Sequence, residues 1–332
     1  MLVIRIFVVA LFFASTVKAQ KIELLANHDK LSLRGLSVVN DSIVWASGSN
    51  GTIARSTDGG RTFEWITVKD YAERDFRDIE AFDENTAVIM AVAEPAVILK
   101  TTDAGKTWKK VFEDSTKGMF LDAMDFNGNR GVVVGDPINK KAFIALTKDQ
   151  GKSWQKIEKH KEDTLKNGEA FFAASGTNVK QLENDKILYV TGGADSRLFY
   201  NQKLYALDII KGEESTGANS VAVNFSQQHA VVVGGDFKQD TVSTKNCVLV
   251  KLGKEPVFSL PKTPPHGYRS CVIYLSNDKI IACGTSGVDV STDGGLNWKL
   301  ISKESFHVCQ KAKKGNAVFL AGANGRIAKL SL

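Results

Sequence analysis

The chain is poor in the residues that usually announce chemistry. Its 332 residues hold four cysteines, five histidines and six prolines. Cys247, Cys271, Cys283 and Cys309 show no C-x-x-C spacing, which removes the common zinc and thioredoxin-like patterns. His28, His160, His229, His266 and His307 share no metal-ligand spacing. No G-x-S-x-G elbow occurs, and no G-x-G-x-x-G follows a strand and opens a helix, so neither a metal nor a cofactor is expected. Charge of one sign is also scarce. Lys and Arg number 43, two of them (Arg5 and Lys18) in the first nineteen residues, against 37 Asp and Glu. That balance is too mild to argue for nucleic acid or an anionic membrane.

Long apolar runs are missing except at the start. "MLVIRIFVVALFFASTVKAQ" has Arg5 before an apolar core from Ile6 to Ala14, then "VKA", with small residues at −3 and −1 of a cleavage site. The core is too short to span a membrane. Residues 1–19 therefore read as a signal peptide cut before Gln20, for a secreted or periplasmic protein whose mature part, 20–332, is one domain not inserted in a membrane. The four cysteines read as buried thiols in strands, with a Cys271–Cys283 bridge across a hairpin as the alternative.

What the chain has in quantity is one repeated turn. "STDGGRTF" (56–63), "TTDAGKTW" (101–108), "TKDQGKSW" (147–154) and "STDGGLNW" (291–298) share the pattern [ST]-x-D-x-G-x-x-[WF]. Their aspartates, Asp58, Asp103, Asp149 and Asp293, stand 45, 46 and 144 residues apart, the last gap being three periods of 48. A catalytic loop occurs once, whereas a structural turn recurs once per repeat, and this period points to a solenoid or propeller. The aspartate can accept hydrogen bonds from its own turn, the glycine supplies positive φ, and the aromatic (Phe63, Trp108, Trp154, Trp298) returns to the core. The boxes are thus read as structural.

A short β segment precedes each box, an alternating run follows it, and two apolar runs joined by a polar turn stand earlier. One unit is four antiparallel strands, with first strands starting near Leu33, Phe76, Phe120, Phe171, Asn219, Tyr268 and Phe306. This predicts an all-β, seven-bladed β-propeller. Blades 4 and 5 lack the box, and "KLYALDI" and "NCVLVKL" are expected as their third strands. The seventh unit lacks a fourth strand, which "QKIELLAN" at 20–27 is expected to supply.

The box is identified as the Asp-box, or BNR, repeat of sialidases, some glycoside hydrolases, sortilin-type receptors and the photosystem II stability and assembly factor propellers. "FRDIEAF" followed by "AVIL" and the box most resembles the last group. "GEAFFAASGTN", "TGGADSRLF", "VVVGGDF" and "GYRS" resemble secreted bacterial BNR-like propellers labelled oxidoreductase or glycosyl hydrolase. The resemblance implies a fold rather than a reaction.

Function is expected on the face opposite the boxes, where loops vary on a rigid ring. Aligning the first strands on Phe82, Phe126, Phe225 and Tyr274 puts Arg34, Arg77, Leu121, Phe172, Ser220, Arg269 and His307 at one position. Arg269, His307, Arg34 and Arg77 then form an arc at the channel mouth, suited to a carboxylate or chain terminus. Glu94, Asp136, Asp195 and Asp236 follow the second strands of blades 2 to 5 and are the other ligand-binding candidates, with loop capping as their plainer role. The leading expectation is a non-enzymatic, monomeric scaffold that engages a protein segment or an anionic ligand, an anionic glycan included, at that mouth. The alternative is a glycan-acting hydrolase using Tyr268 and Glu169, although no pair of catalytic carboxylates can be placed.

Overall fold

The computed structural model describes residues 20–157 and 164–332. The signal-peptide expectation and His160 lie outside the described residues. Among these there is no α-helix, only a short 3₁₀ turn at Glu183–Asp185. The strands form five separate four-stranded antiparallel sheets and one of nine strands.

Unit 1 comprises Leu33–Val38, Val44–Gly48, Thr52–Ser56 and Glu64–Thr67, and unit 2 Phe76–Ala81, Ala87–Ala91, Ala96–Thr101 and Lys109–Asp114. Unit 3 is Leu121–Asn127, Arg130–Ile138, Lys141–Thr147 and Gln155–Lys156. Unit 6 is Cys271–Tyr274, Ile280–Gly284, Gly287–Ser291 and Trp298–Ser302. Unit 7 is Val308–Lys311, Val318–Ala321 and Ile327–Ser331, and its fourth strand is Lys21–Ala26, in register Lys21↔Ser331. The N-terminal strand therefore closes this sheet.

The nine-stranded sheet contains two four-stranded runs. One is Val179–Gln181, Ile187–Gly193, Arg197–Tyr200 and Lys203–Ala206; the other is Thr216–Val223, His229–Asp236, Cys247–Lys251 and Val257–Ser259. A single pairing, Gly192↔Gly217, joins them, and Glu169–Ala170 adds a short strand. Two expectations are corrected here. "KLYALDI" supplies the fourth strand of its unit, because Arg197–Tyr200 is inserted before it. Phe171 does not start a first strand; that strand begins at Val179.

The first strands touch one another in a closed cycle: 33–38, 76–81, 121–127, 179–181, 216–223, 271–274, 308–311 and back to 33–38. The apolar clusters lie between neighbouring units, one of them joining units 6, 7 and 1, so both faces of the inner strands are covered. That is why Val44–Gly48, Ala87–Ala91 and the first four residues of Ala96–Thr101 read as continuous apolar or small runs and are wholly buried. Outer strands such as Lys109–Asp114 alternate and are half exposed.

The four boxes fold alike. In the second, Thr101 Oγ1 donates to Asp103 Oδ1 at 2.8 Å and accepts from Gly105 N at 3.0 Å, while Thr107 Oγ1 donates to Asp103 Oδ2 at 2.6 Å. A Cβ on Gly105 would lie 3.2 Å from Ile66 Cδ1 of the preceding unit, and φ is +85°, so glycine lets the turn dock on its neighbour. Trp108 and Trp298 close the turn by donating Nε1–H to Gly105 O and Gly295 O at 3.0 and 2.8 Å.

These bonds make the fold acid-sensitive. The Thr107 hydroxyl and amide hold Asp103 down at about 2. At Asp149 burial opposes the shift, but the Ser153 hydroxyl and amide still hold it at about 2. A depressed carboxyl stabilises the fold above its unfolded value of about 4 and loses that contribution as pH falls toward 2. Thermal melts of wild type should therefore drop between pH 4 and 2. An Asp103→Asn/Asp149→Asn variant should melt lower at pH 7 and show a shallower acid drop; an unchanged slope would assign the acid sensitivity elsewhere. Separately, deleting residues 20–27 should lower stability by several kcal/mol, since a strand's ladder and the packing of Ile22 and Leu25 are lost. An unchanged melting temperature would contradict the closure.

Candidate functional site

The centre of the ring is not an open hole. Residues 171–178, "FFAASGTN", cross it and bond to several units. Ser175 Oγ donates to Ser270 O at 2.6 Å, and the hydroxyls of Thr177 and Ser220 lie 2.6 Å apart. Val221 N donates to Thr177 O at 2.9 Å, and Arg34 Nη1 donates to Ala174 O at 3.3 Å. Gly176 rests on Asp78, where a Cβ would lie 2.2 Å from the carboxyl carbon, so no other residue fits.

Over this plug lies a cavity of about 400 Å³. Phe171, Phe172, Ala173 and Ala174 of the plug line it, with Arg34, Arg77, Asp122 and Asn219 from first strands and Ser270 and His307 from the residue just before one. Phe120, Asp136, Phe237, Tyr268 and Thr285 complete the wall. Four of these residues share a structural cause. In units 1, 2, 3 and 5 the pairing of the first two strands slips by one residue, at Arg34, Arg77, Asp122 and Asn219. A bulge of this kind re-aims the extra side chain. Each therefore turns toward the channel mouth.

The alignment by aromatic landmarks is right for Arg34, Arg77 and His307 and one residue out in units 3, 5 and 6; in unit 4 it falls on Phe172 of the plug, ahead of the first strand at Val179–Gln181. Phe126 pairs with Gly131 inside its ladder, whereas Phe82 lies beyond Ala81, the last paired residue of its strand, so the two are not equivalent. The corrected position reads Asp122 in place of Leu121, Asn219 in place of Ser220, and Ser270 in place of Arg269. Arg269 is consequently withdrawn from the arc. It is fully buried, donates Nε–H to Asp289 Oδ2 at 2.7 Å, and also bonds Tyr268 O and Ser286 Oγ at 2.7 and 2.8 Å.

The acids divide in the same way. Asp136 lines the cavity and accepts from Phe171 N at 3.0 Å. Glu94 is exposed and accepts from Gly118 N. Asp236 is buried and accepts from Lys238 N at 2.9 Å. Asp195 is buried between Lys166 and Lys211, whose hydrogen bonds outweigh the opposing effect of burial and hold it at about 2. Glu94, Asp195 and Asp236 thus do structural work outside the cavity.

Electrostatics in the cavity are set by desolvation. Burial, then the nearby Arg77, holds the Arg34 guanidinium below its ordinary range. Burial, followed by Arg34, holds His307 down at about 4, so it is neutral at pH 7. Its Nδ1 lies 3.0 Å from Leu33 O, an acceptor only, which places the proton on Nδ1. Tyr268 is buried, donates its hydroxyl to Asn219 Oδ1 at 2.8 Å, and is pushed up by burial. Glu169 is buried against Arg197, whose Nε–H donates at 2.9 Å, and does not line the cavity. Tyr268 thus stands in the cavity wall with its hydroxyl tied to Asn219, whereas Glu169 is engaged outside it, so the two groups assigned to a hydrolase do not meet there.

Sequence reasoning missed Asp122, Asn219 and the aromatic wall. "FLDAM" set against "FRDIE" with one gap carries the signal for Asp122. It also missed that Cys271, Cys283 and Cys309 converge, with sulfurs within 4.8 Å of one another and all free thiols. Strand pairing and the contact between neighbouring units assemble that cluster, so no local spacing shows it.

Sheets packed around a plugged centre, with repeated aspartate turns, define a β-propeller of the BNR type. A family model described as photosynthesis system II assembly factor YCF48 matches residues 64–168. Among solved structures, YCF48 bound to D1 peptide is similar with a TM-score of 0.66 at 16% identity, covering 96% of this chain and 97% of that one. YCF48 from Cyanidioschyzon merolae is similar with a TM-score of 0.67 at 15% identity, covering 94% and 98%. U3-55K gives 0.64 at 14%, covering 94% and 98%. At these identities the likeness is one of fold. No curated protein matches the chain.

Arg269 separates scaffold from site. Arg269→Ala leaves Asp289 buried without its guanidinium partner and should cost about 3–5 kcal/mol. In the fraction that stays folded, ligand affinity should match wild type. A binding loss with no stability loss would return Arg269 to the arc.

Proposed function

We propose that this protein is a secreted or periplasmic, seven-bladed, monomeric propeller acting as a non-enzymatic binding or assembly scaffold, with residues 20–332 as one domain. The seven-blade count takes the nine-stranded sheet as two blades joined at Gly192↔Gly217. Export rests on the composition of residues 1–19. The ligand is a protein segment, held over the plug at the channel mouth, with its anionic group against Arg34 and Arg77.

One observation carries this reading: two guanidinium groups, a neutral histidine and an aromatic wall converge on one cavity built by four bulged first strands and the plug. Arginine offers a fork of donors to a carboxylate, and the Phe172–Phe237–Tyr268 edge-to-face run offers an apolar surface beside it. The fold likeness to a YCF48 structure that holds a peptide supports a protein segment over a glycan. The hydrolase alternative gains no support from Tyr268 or Glu169, as placed above.

The test is quantitative pull-down from the native extracellular or periplasmic fraction, followed by affinity measurement on the recovered partner. Replacing Arg34 or Arg77 by Ala should weaken binding by about 1.5–3 kcal/mol per charge-assisted contact, with Lys restoring only part. Binding should also weaken with salt, over a screening length of about 10 Å at 0.1 M. Equal partners and affinities for wild type and the double Ala variant would sink the reading.

A further inference from the structure

Three of the four cysteines meet at one point, and the fold gives only one of them a task. In three units the residue just after the channel-facing position accepts an amide from the next unit. Asp78 Oδ2 accepts from Met124 N at 2.8 Å, Ser220 Oγ from Val272 N at 3.0 Å, and Cys271 Sγ from Cys309 N at 3.4 Å. Cys271 therefore fills a place that a carboxyl or a hydroxyl fills elsewhere in the ring. Cys283 and Cys309 have no such task. Cys283 stands directly across the ladder from Cys271, where units 2, 3 and 5 carry Met90, Val134 and Val233. Cys309 gives its amide from the position held by Met124 and Val272 in the other two pairs. Apolar packing at both positions is met by Val or Met.

The chain instead places sulfur at both. The three sulfurs lie within 4.8 Å of one another, and Cys271 Sγ and Cys309 Sγ are 3.7 Å apart. All three thiols are free, have no exposed surface, and belong to the apolar core shared by units 6, 7 and 1. A disulfide needs two sulfurs at about 2.05 Å. Three sulfurs each about 2.3 Å from one ion stand about 3.8–4.0 Å from each other. The cluster is a small side-chain adjustment from that spacing.

The donor set selects the ion. Thiolate sulfur is soft and favours Cu(I), Zn(II) or an iron–sulfur cluster. Structural Zn(II) is almost always held by four ligands, and an iron–sulfur cluster takes four cysteines. Among the described residues no further His, Cys, Asp or Glu joins the three. The apolar surroundings also lack the polar partners that would hold a water as a fourth ligand. Cu(I), a soft filled-shell ion with no demand for a fourth ligand, is satisfied by three sulfurs.

We propose that Cys271, Cys283 and Cys309 form a three-sulfur site for one Cu(I) ion, which clasps unit 6 to unit 7. Sulfurs that bind as thiolates release their protons to solvent as the metal bonds form. Cys309 N–H, already directed at Cys271 Sγ, supports that sulfur as a ligand. The ion enters as the units pack, since the folded ring leaves the sulfurs no exposed surface. None of the three residues lines the cavity at the channel mouth, so the site is independent of the ligand proposed there.

The test supplies Cu(I) or Zn(II) while the full chain folds, then removes loosely held metal by gel filtration in excess glutathione. Wild type should keep about one Cu(I) per chain and no Zn(II). X-ray absorption should show only sulfur neighbours, at about 2.3 Å. Cys283→Val and Cys309→Val install a residue that other units carry at those positions, and each should lower retained copper by about tenfold or more. Cys247→Ala, outside the cluster, should keep it. Copper should raise the melting temperature of wild type and leave that of either valine variant unchanged. If a valine variant does not fold, the ligands seen in wild type decide alone. No retained copper, equal copper in wild type and both valine variants, or nitrogen or oxygen neighbours at the ion overturns the site. Zn(II) retained in preference to Cu(I) overturns it too, as does a disulfide mapped between any two of the three cysteines in the purified chain.

Discussion

One buried carboxyl organises the centre of this molecule. Asp78 sits on the first strand of unit 2, accepts from its own neighbour Ile79 N and from Met124 N of unit 3, both at 2.8 Å, and carries Gly176 of the plug against it. Burial pushes it well above the usual carboxylate range. A group this desolvated persists only where its polar atoms are met. The amides that meet it come from two units, and the plug that covers it comes from the segment leading into a third. The floor of the cavity, the spacing of units 2 to 4, and hence the approach of Arg77 to Asp122 all follow from that contact.

The scaffold and the site use charge differently. In the scaffold buried charges are matched: Arg269 with Asp289, Arg197 with Glu169, and Asp195 with two lysines. Pairs of this kind fix geometry more than they add stability. In the cavity the matching is left incomplete. Arg77 Nε has no partner, and the nearest acid to its terminal nitrogens is Asp75 at 3.4 Å, half exposed. The ring supplies rigidity, and the incomplete pairing supplies the capacity to bind.

Most of the fold is legible in the chain because it repeats. Four boxes fix the turn between third and fourth strands, and the missing last strand of unit 7 points directly to residues 20–27. Of the two units without a box, unit 4 is where the reading slips, since nothing marks the order of Arg197–Tyr200 and Lys203–Ala206. The site is only half legible. Arg34, Arg77 and His307 can be read because each directly follows the residue from which its unit's start is read, Leu33, Phe76 and Phe306. Asp122, Asn219 and Ser270 cannot, because their aromatic landmarks Phe126, Phe225 and Tyr274 stand four, six and four residues further on, against five from Arg77 to Phe82. The plug is invisible for another reason: "FFAASGTN" has the composition of a strand start, and its crossing of the channel is decided by hydroxyl bonds to units 5 and 6.

The most direct measurement is the thermal unfolding of Gly176→Ala. The new Cβ would lie 2.2 Å from the Asp78 carboxyl carbon, on a backbone at φ +67° that alone disfavours Ala by about 1–2 kcal/mol. If the plug on Asp78 holds the centre, this one methyl should lower the melting temperature by many degrees, well beyond what left-handed strain produces. A melting temperature within a degree or two of wild type would show that residues 171–178 lie loosely in the channel, and the account of the cavity built on them would fail.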